Sequence, residues 1–343
     1  MITETTNIEA LAIHLIGSKA EDEGYSLANS LMDIDDEMRD MLKDYFLSSF
    51  KAGELYNFYH DSELSYNEVY DYVAKIFDDS SQLYEQSVNL TKHLYEKSNH
   101  PNIKSGEFYV VYFHDCQVDG EIVDAVGLFK SENKDTFLKV TRDGGNFNLE
   151  SDRGINPKKM DKGCLIFNYE RENGFVLKTI DNTNRVDAQY WTDEFLHIRQ
   201  RQDKYFNTHN VMSMYKNFVT KELPQQFEVS RADQADLLNR SVKFFKENEN
   251  FEMQNFEDSV IRQPEVIQQF QQFKDTFSRE NDFEIPDSFD ISDSAVKKQS
   301  RAFKSVIKLD KNFHIYVHGN RELIEQGEDE KGKFYKVYYK EEE

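Results

Sequence analysis

The residue types best suited to chemistry lie together in "DAVGLFKSENK", from Asp124 to Lys134. An acidic residue on one strand followed by Glu-x-Lys on the next is a pattern used by metal-dependent nucleases. The carboxylates hold a divalent cation, and the lysine orients or activates water. Asp124, Glu132 and Lys134 supply the types. "SENKD", however, has the composition of a turn, whereas this chemistry needs Glu and Lys on a rigid strand. The stretch is therefore expected to hold no metal and to cut nothing. His314 and His318 of "HIYVH" share one face of a strand but stand about 13 Å apart, too far for one zinc. Cys116 and Cys164 have no C-x-x-C companion and read as small buried apolar groups. "RDGG" lacks the length and the following Lys-Ser/Thr of a phosphate loop. No nucleotide loop, nucleophile elbow, kinase motif or cofactor fingerprint is readable, and no cofactor is expected.

The remaining candidate chemistry is anion binding. The chain of 343 residues carries a formal net charge of −22, unevenly spread. Residues 1–100 hold 20 acidic and 7 basic side chains, whereas 130–162 hold 8 basic and 6 acidic. Residues 297–311, "KKQSRAFKSVIKLDK", hold 6 basic and 1 acidic. The whole molecule repels a polyanion at long range, yet a local positive surface can still hold one. The expected phosphate contacts are Lys297, Lys298, Arg301, Lys304, Lys308 and Lys311, with Lys130, Lys134, Lys158 and Lys159 as a second set. Read as a helix, 297–311 puts its cations opposite Val296, Phe303, Val306 and Ile307. Read as a strand, Lys304 and Lys308 oppose Phe303, Ile307 and Leu309. Either way one side is cationic and the other apolar.

These side chains need elements to position them. "NIEALAIHLIGSK" reads as an opening strand, with Leu11, Ile13 and Leu15 on one face and Gly17 closing it. Residues 33–97 read as helices: one from the acidic run at 33 to Gly53, one opened by "SYNE" (Ser65–Glu68) as a capping box, and one over 81–97. From Gly106 the period changes to two. Strands are expected at 108–114, 122–130, 136–141, 163–168 and 175–180, forming one antiparallel meander over about 106–190. "YWTDEFLHI" starts a helix, and "THNVMSMYKNFVTKEL" makes another that stops at Pro224. Ser230 and Asp233 cap the next, helices continue through "PEVIQQFQQFKDTF", and "FHIYVHG" and "KFYKVYYKEEE" read as strands. The fold expected is α+β: a helical N-terminal block with an antiparallel β-meander, then a helical segment and a small C-terminal β-containing unit. The domains expected are 1–223 and 224–343. The 27 Phe and 19 Tyr argue for a large ordered core. No apolar run approaches a membrane span and the N-terminus shows no secretory signal, so no membrane partner is expected. Two cysteines fit a reducing cytoplasm.

Several stretches, taken in order, resemble the bacterial nucleoid-associated protein family of the NdpA type, in a form like that of Bacteroidetes. They are "LAIHLIGSK", "SNHPNIKSGEFYVVYF", "AVGLFKSENKDTFLKV", "GINPKKMDKGCLIFN", "DAQYWTDEFL" and "FKSVIKLDKNFHIYV". The similarity is collinear over nearly the whole chain. It implies a cytoplasmic protein located at the nucleoid, with a non-catalytic, nucleic-acid-linked role, and it brings no catalytic residues. The partner expected is DNA, with RNA as a second nucleic acid, through phosphate contacts of weak sequence specificity; a homodimer is compatible with this. The marked acidity fits an alternative equally well: an acidic protein–protein adaptor recruited by a DNA-bound partner such as a topoisomerase. A metal-dependent nuclease is the third reading.

Overall fold

The computed structural model describes residues 2–50, 53–183, 190–281, 283–301, 303, 306–317 and 321–341. The chain forms two compact units, Met1–Arg201 and Gln202–Glu343. The fold is α+β.

The first unit is built on one antiparallel sheet. Its strands are β1 (Ile2–Ile16), β2 (Tyr25–Ser26), β3 (Tyr56–Phe58), β4 (Gly106–Val118) and β5 (Glu121–Ser131), then β8 (Lys162–Phe167), β9 (Val176–Asp181) and β10 (Ile198–Gln200). They lie in the order β10-β3-β9-β8-β5-β4-β1-β2. Helices α1 (Asp36–Leu47), α2 (Glu68–Asp78) and α3 (Leu83–Lys97) cover both faces. Phe108, Val110, Tyr112, Val126, Leu128, Cys164 and Ile166 meet Val69, Val73, Leu83, Leu90 and Leu94 of α2 and α3 on one side. Tyr109, Val111, Phe113, Phe129, Leu165 and Phe167 meet Tyr45, Phe46 and Leu47 of α1 on the other. Burial on both faces explains why "FYVVYF" and "AVGLF" are apolar without interruption rather than alternating. Gly127 is required between them, because a Cβ there would stand 2.3 Å from the Phe129 ring and 2.8 Å from that of Phe113.

The meander departs from expectation at one place. The strand expected at 136–141 is β6 (Asp135–Asp143), and it leaves the sheet to pair only with β7 (Asn146–Gly154), a strand the sequence reading missed. The two-residue Gly144-Gly145 turn closes this ribbon, with Gly144 at φ +58°. Almost every ribbon residue is exposed, so the alternation that marks a half-buried strand is absent.

Two local signals also resolve differently. "SYNE" does not form a capping box: Asn67 is the N-cap of α2, its side chain accepting the Tyr70 N–H. Asn67 wins because its amide also donates to the Tyr59, Leu196 and His197 carbonyls at 3.2, 3.1 and 2.9 Å. "YWTDEFL" winds as a π-helix, Tyr190–Leu196, and passes directly into β10.

The second unit begins earlier than the expected boundary after residue 223. It contains α4 (Lys204–Asn217), α5 (Leu223–Gln226), α6 (Arg231–Glu247), α7 (Met253–Phe256), α8 (Pro264–Glu280) and α9 (Asp293–Ser300). Pro224 does not end a helix; it sits in the first turn of α5, where its missing N–H is tolerated. Val211, Met212, Tyr215 and Phe218 join Phe245, Phe251, Phe256 and Phe270 in the core. The expected Ser230–Asp233 capping box is present at α6. Three short ladders complete the unit: β11 (Asn250–Glu252) with β12 (Ser288–Asp290), β13 (Val306–Leu309) with β14 (Phe313–Tyr316), and β15 (Ile324–Asp329) with β16 (Gly332–Val337).

Candidate nucleic-acid interface

The lysines of the first unit are mostly spent inside the protein. Lys130 follows Leu128 by two positions and so shares its inward face. Its side chain is 0% exposed, and Nζ donates to the Lys104 carbonyl and to Glu132 Oε1, both at 2.8 Å. Burial pushes its pKa down, with Glu132 opposing. Lys130 therefore does not face a phosphate.

Directly across the ladder stands Lys162, equally buried, with Nζ 2.7 Å from Asp181 Oδ2. Two lysines opposite each other would repel. Here each has its own carboxylate, and the Tyr190 ring lies 5.9 Å from one ammonium and 5.1 Å from the other. Tyr190 also donates to Glu132 Oε1 at 3.1 Å. Asp161 accepts from the Glu132 and Asn133 N–H groups and from the Asn133 amide, which sets the turn after β5.

Lys134 is ion-paired with Glu107, and Lys159 with Asp135 at 3.0 Å. Of this set only Lys158 is exposed with no ion-pair partner among the described residues. Carboxylates thus neutralise four of the eight basic residues of 130–162, while Lys139, Arg142 and Arg153 of the β6–β7 ribbon, like Lys158, are exposed without an ion-pair partner among the described residues. Strand parity was the available signal: Lys130 and Lys162 fall in phase with Val126, Leu128, Cys164 and Ile166, all of them core.

The basic segment of the second unit is different. It is a helix followed by a strand, so the helical and extended readings each hold for part of it. Val296 and Phe303 point into the core, whereas Lys297, Lys298 and Arg301 are exposed at the C-terminal end of α9. Cations there complement the carbonyl end of the helix. Lys298 lies over the Tyr205 ring at 5.8 Å. On β13, Ile307 is buried and Lys308 faces out, opposite His314 of β14. Tyr316 and the turn residue Lys311 are also exposed. Lys297, Arg301, Lys308 and Lys311 have no carboxylate partner among the described residues. α9 and β13 both pack against α6, and Asn239 of α6 donates to the Val317 carbonyl at 2.9 Å. Lys304 and His318 lie outside the described residues.

The candidate catalytic arrangements do not assemble. Asp124 and Glu132 are eight residues apart along β5 and its extension, roughly 26 Å by strand rise, so they do not converge on one ion. Among the described residues no group of acidic, His or Cys side chains could hold a metal. A buried His14–Ser87 contact of 2.8 Å resembles half of a hydrolytic triad. Yet the Ala28 N–H donates to His14 Nδ1, so Nε2 carries the proton and donates to the Ser87 hydroxyl, which in turn donates to the Tyr84 carbonyl. The imidazole cannot take the serine proton. His114 sits between Glu9 and Asp124, 2.8 Å from each, and its pKa is raised chiefly by the Asp124 hydrogen bond. A protonated imidazole between two carboxylates is a bridge, not a base. Both thiols are buried, and burial pushes Cys116 up to about 12.

The model of one protein family, described as nucleoid-associated protein YejK, matches residues 12–333. No curated protein matches the chain.

Proposed function

We propose that this chain, which belongs to the nucleoid-associated protein YejK family, is a non-catalytic DNA-binding protein of the nucleoid in a reducing cytoplasm. Its second unit meets the phosphate backbone through Lys297, Lys298, Arg301, Lys308 and Lys311. The observation that supports this reading is the unequal fate of the two basic segments. Carboxylates of the first unit neutralise Lys130, Lys134, Lys159 and Lys162, whereas Lys297, Arg301, Lys308 and Lys311 are exposed and lack ion-pair partners among the described residues. A polyanion repelled by a −22 chain is held best where the cations are not already engaged. Contacts of this kind read phosphate rather than bases, so sequence preference is weak.

The test is a mobility-shift salt series on duplex and single-stranded DNA and on RNA. Changing Lys297, Arg301, Lys308 and Lys311 together to Gln is expected to reduce the log–log salt slope on duplex DNA by roughly three to four units. An unchanged slope rejects this surface. The net charge of −22 supports a second reading, an adaptor carried to the chromosome by a DNA-bound protein. That reading gains if the purified chain binds no nucleic acid at low salt. Divalent-metal-dependent cleavage would overturn both in favour of a nuclease.

A further inference from the structure

The β6–β7 ribbon presents two unlike faces. The register pairs Thr136 with Arg153, Leu138 with Ser151, Val140 with Leu149 and Arg142 with Phe147, placing all eight on one side. That side carries Leu138, Val140, Phe147 and Leu149, exposed by 63–74%. At its two ends stand Arg142 and Arg153, with no carboxylate on the same face. Asp135, Asp143, Glu150 and Asp152 all lie on the other. A two-stranded ribbon with nothing packed on its apolar side is marginal in water, and so contiguous an apolar patch marks an interaction site.

A complementary surface exists in the same unit. The outer side of α1 and the segment before it expose Leu31, Met32, Met38 and Met41 by 37–46%. Asp33, Asp36, Glu37, Asp40 and Asp44 are interleaved with them and also exposed. Of the cations nearby, Arg39 is tied to the Ile8 and Ile34 carbonyls and Lys43 to Asp40. Within one chain both surfaces remain open to solvent.

We propose that the β6–β7 ribbon is an exchange arm whose apolar, arginine-flanked face docks on the methionine- and carboxylate-lined face of α1 in a second copy of this chain. Charge complementarity selects the occupant. Two ribbon faces against each other would set arginine against arginine, whereas ribbon on α1 sets arginine against carboxylate and apolar against methionine, which adapts its shape readily. Nucleic acid fits less well: residues 135–154 sum to −1, and their acidic face lies within a Debye length of the arginines. A two-fold axis repeats the contact. Each ribbon offers about 30 by 10 Å, so two contacts bury on the order of 1,200 Å², the lower bound for a specific dimer.

The experiment is sedimentation velocity of the full chain from about 1 to 100 μM in roughly 0.15 M salt, where long-range repulsion is screened. The expected particle has twice the 40.5 kDa chain mass. Arg142→Glu with Arg153→Glu, both exposed, is expected to weaken association at least about tenfold with unchanged circular dichroism. Adding Asp40→Arg and Asp44→Arg to that variant is expected to restore the dimer. A wild-type monomer throughout, a dimer indifferent to the arginine changes, or a failure of the second pair to restore it overturns the proposal. So does an unchanged mass with weakened DNA binding, which assigns the ribbon to nucleic acid. Mass is read without DNA, so this outcome is independent of the phosphate-contact reading.

Discussion

At the scale of single residues, the most exacting environment is that of Lys130. Its ion-pair partner, Glu132, is itself 4% exposed, so removing the ammonium leaves a carboxylate buried beside the Tyr190 hydroxyl. Lys130→Met is expected to destabilise the first unit by roughly 3–5 kcal/mol, and Lys130→Met with Glu132→Met to recover most of that. Urea unfolding of the two variants checks it; equal losses would mean that the pair is not coupled. His114 gives a pH dependence with a definite sign. Its folded pKa is raised by Asp124 and Glu9, so its stabilising effect is complete below the unfolded value of about 6.5 and fades as pH rises through the folded pKa. The Tm gap between the wild type and His114→Gln is expected to be widest below the unfolded value and to narrow as pH rises through the folded pKa. A gap constant with pH would remove the imidazolium bridge as a source of stability. Because His114 is nearly half exposed, the effect is screened and small.

At the scale of elements, the start of α2 distinguishes a cap read from a motif from one fixed by its surroundings. Ser65 has the right type and spacing for a capping box but is exposed and caps nothing. Asn67 is 2% exposed and holds the helix N-terminus, the nearby Tyr59 carbonyl and the distant Leu196 and His197 carbonyls. Asn67→Ala is expected to cost about 2–3 kcal/mol, from the lost cap and the orphaned carbonyls. Ser65→Ala is expected to cost less than about 0.5 kcal/mol. Thermal melts of the pair settle which residue caps the helix. The same contrast separates β5 from β6. Both are adjacent in sequence and rich in strand formers, yet one is covered on both faces and the other is exposed along its length.

At the scale of the whole molecule, the boundary at Arg201/Gln202 has a direct consequence. The first unit buries its apolar residues against its own sheet, and the second gathers Val211 through Phe218 into its own core. Fragments 1–201 and 202–343 are each expected to unfold cooperatively. A fragment beginning at residue 224 is expected to lack a cooperative transition, because it loses Met212, Tyr215, Phe218 and Val219. A cooperative 224–343 fragment would restore the later boundary.

The α+β class, the long apolar strands β4 and β5, the capped helix α6, the burial of both cysteines and the family are all legible along the chain. These follow from periodicity, cap chemistry and collinear similarity, which are written locally along the chain. Which cations are available depends instead on pairings made across the fold. Lys134 meets Glu107 27 positions away, Lys159 meets Asp135 24 positions away, and Lys162 meets Asp181 19 positions away. Charge counted along the chain is blind to such pairing, because strand register, not sequence distance, brings carboxylate and ammonium together. The same blindness hid the two-faced ribbon: "NFNLESDRG" shows its segregated charge only once Gly144 and Gly145 turn it back on β6.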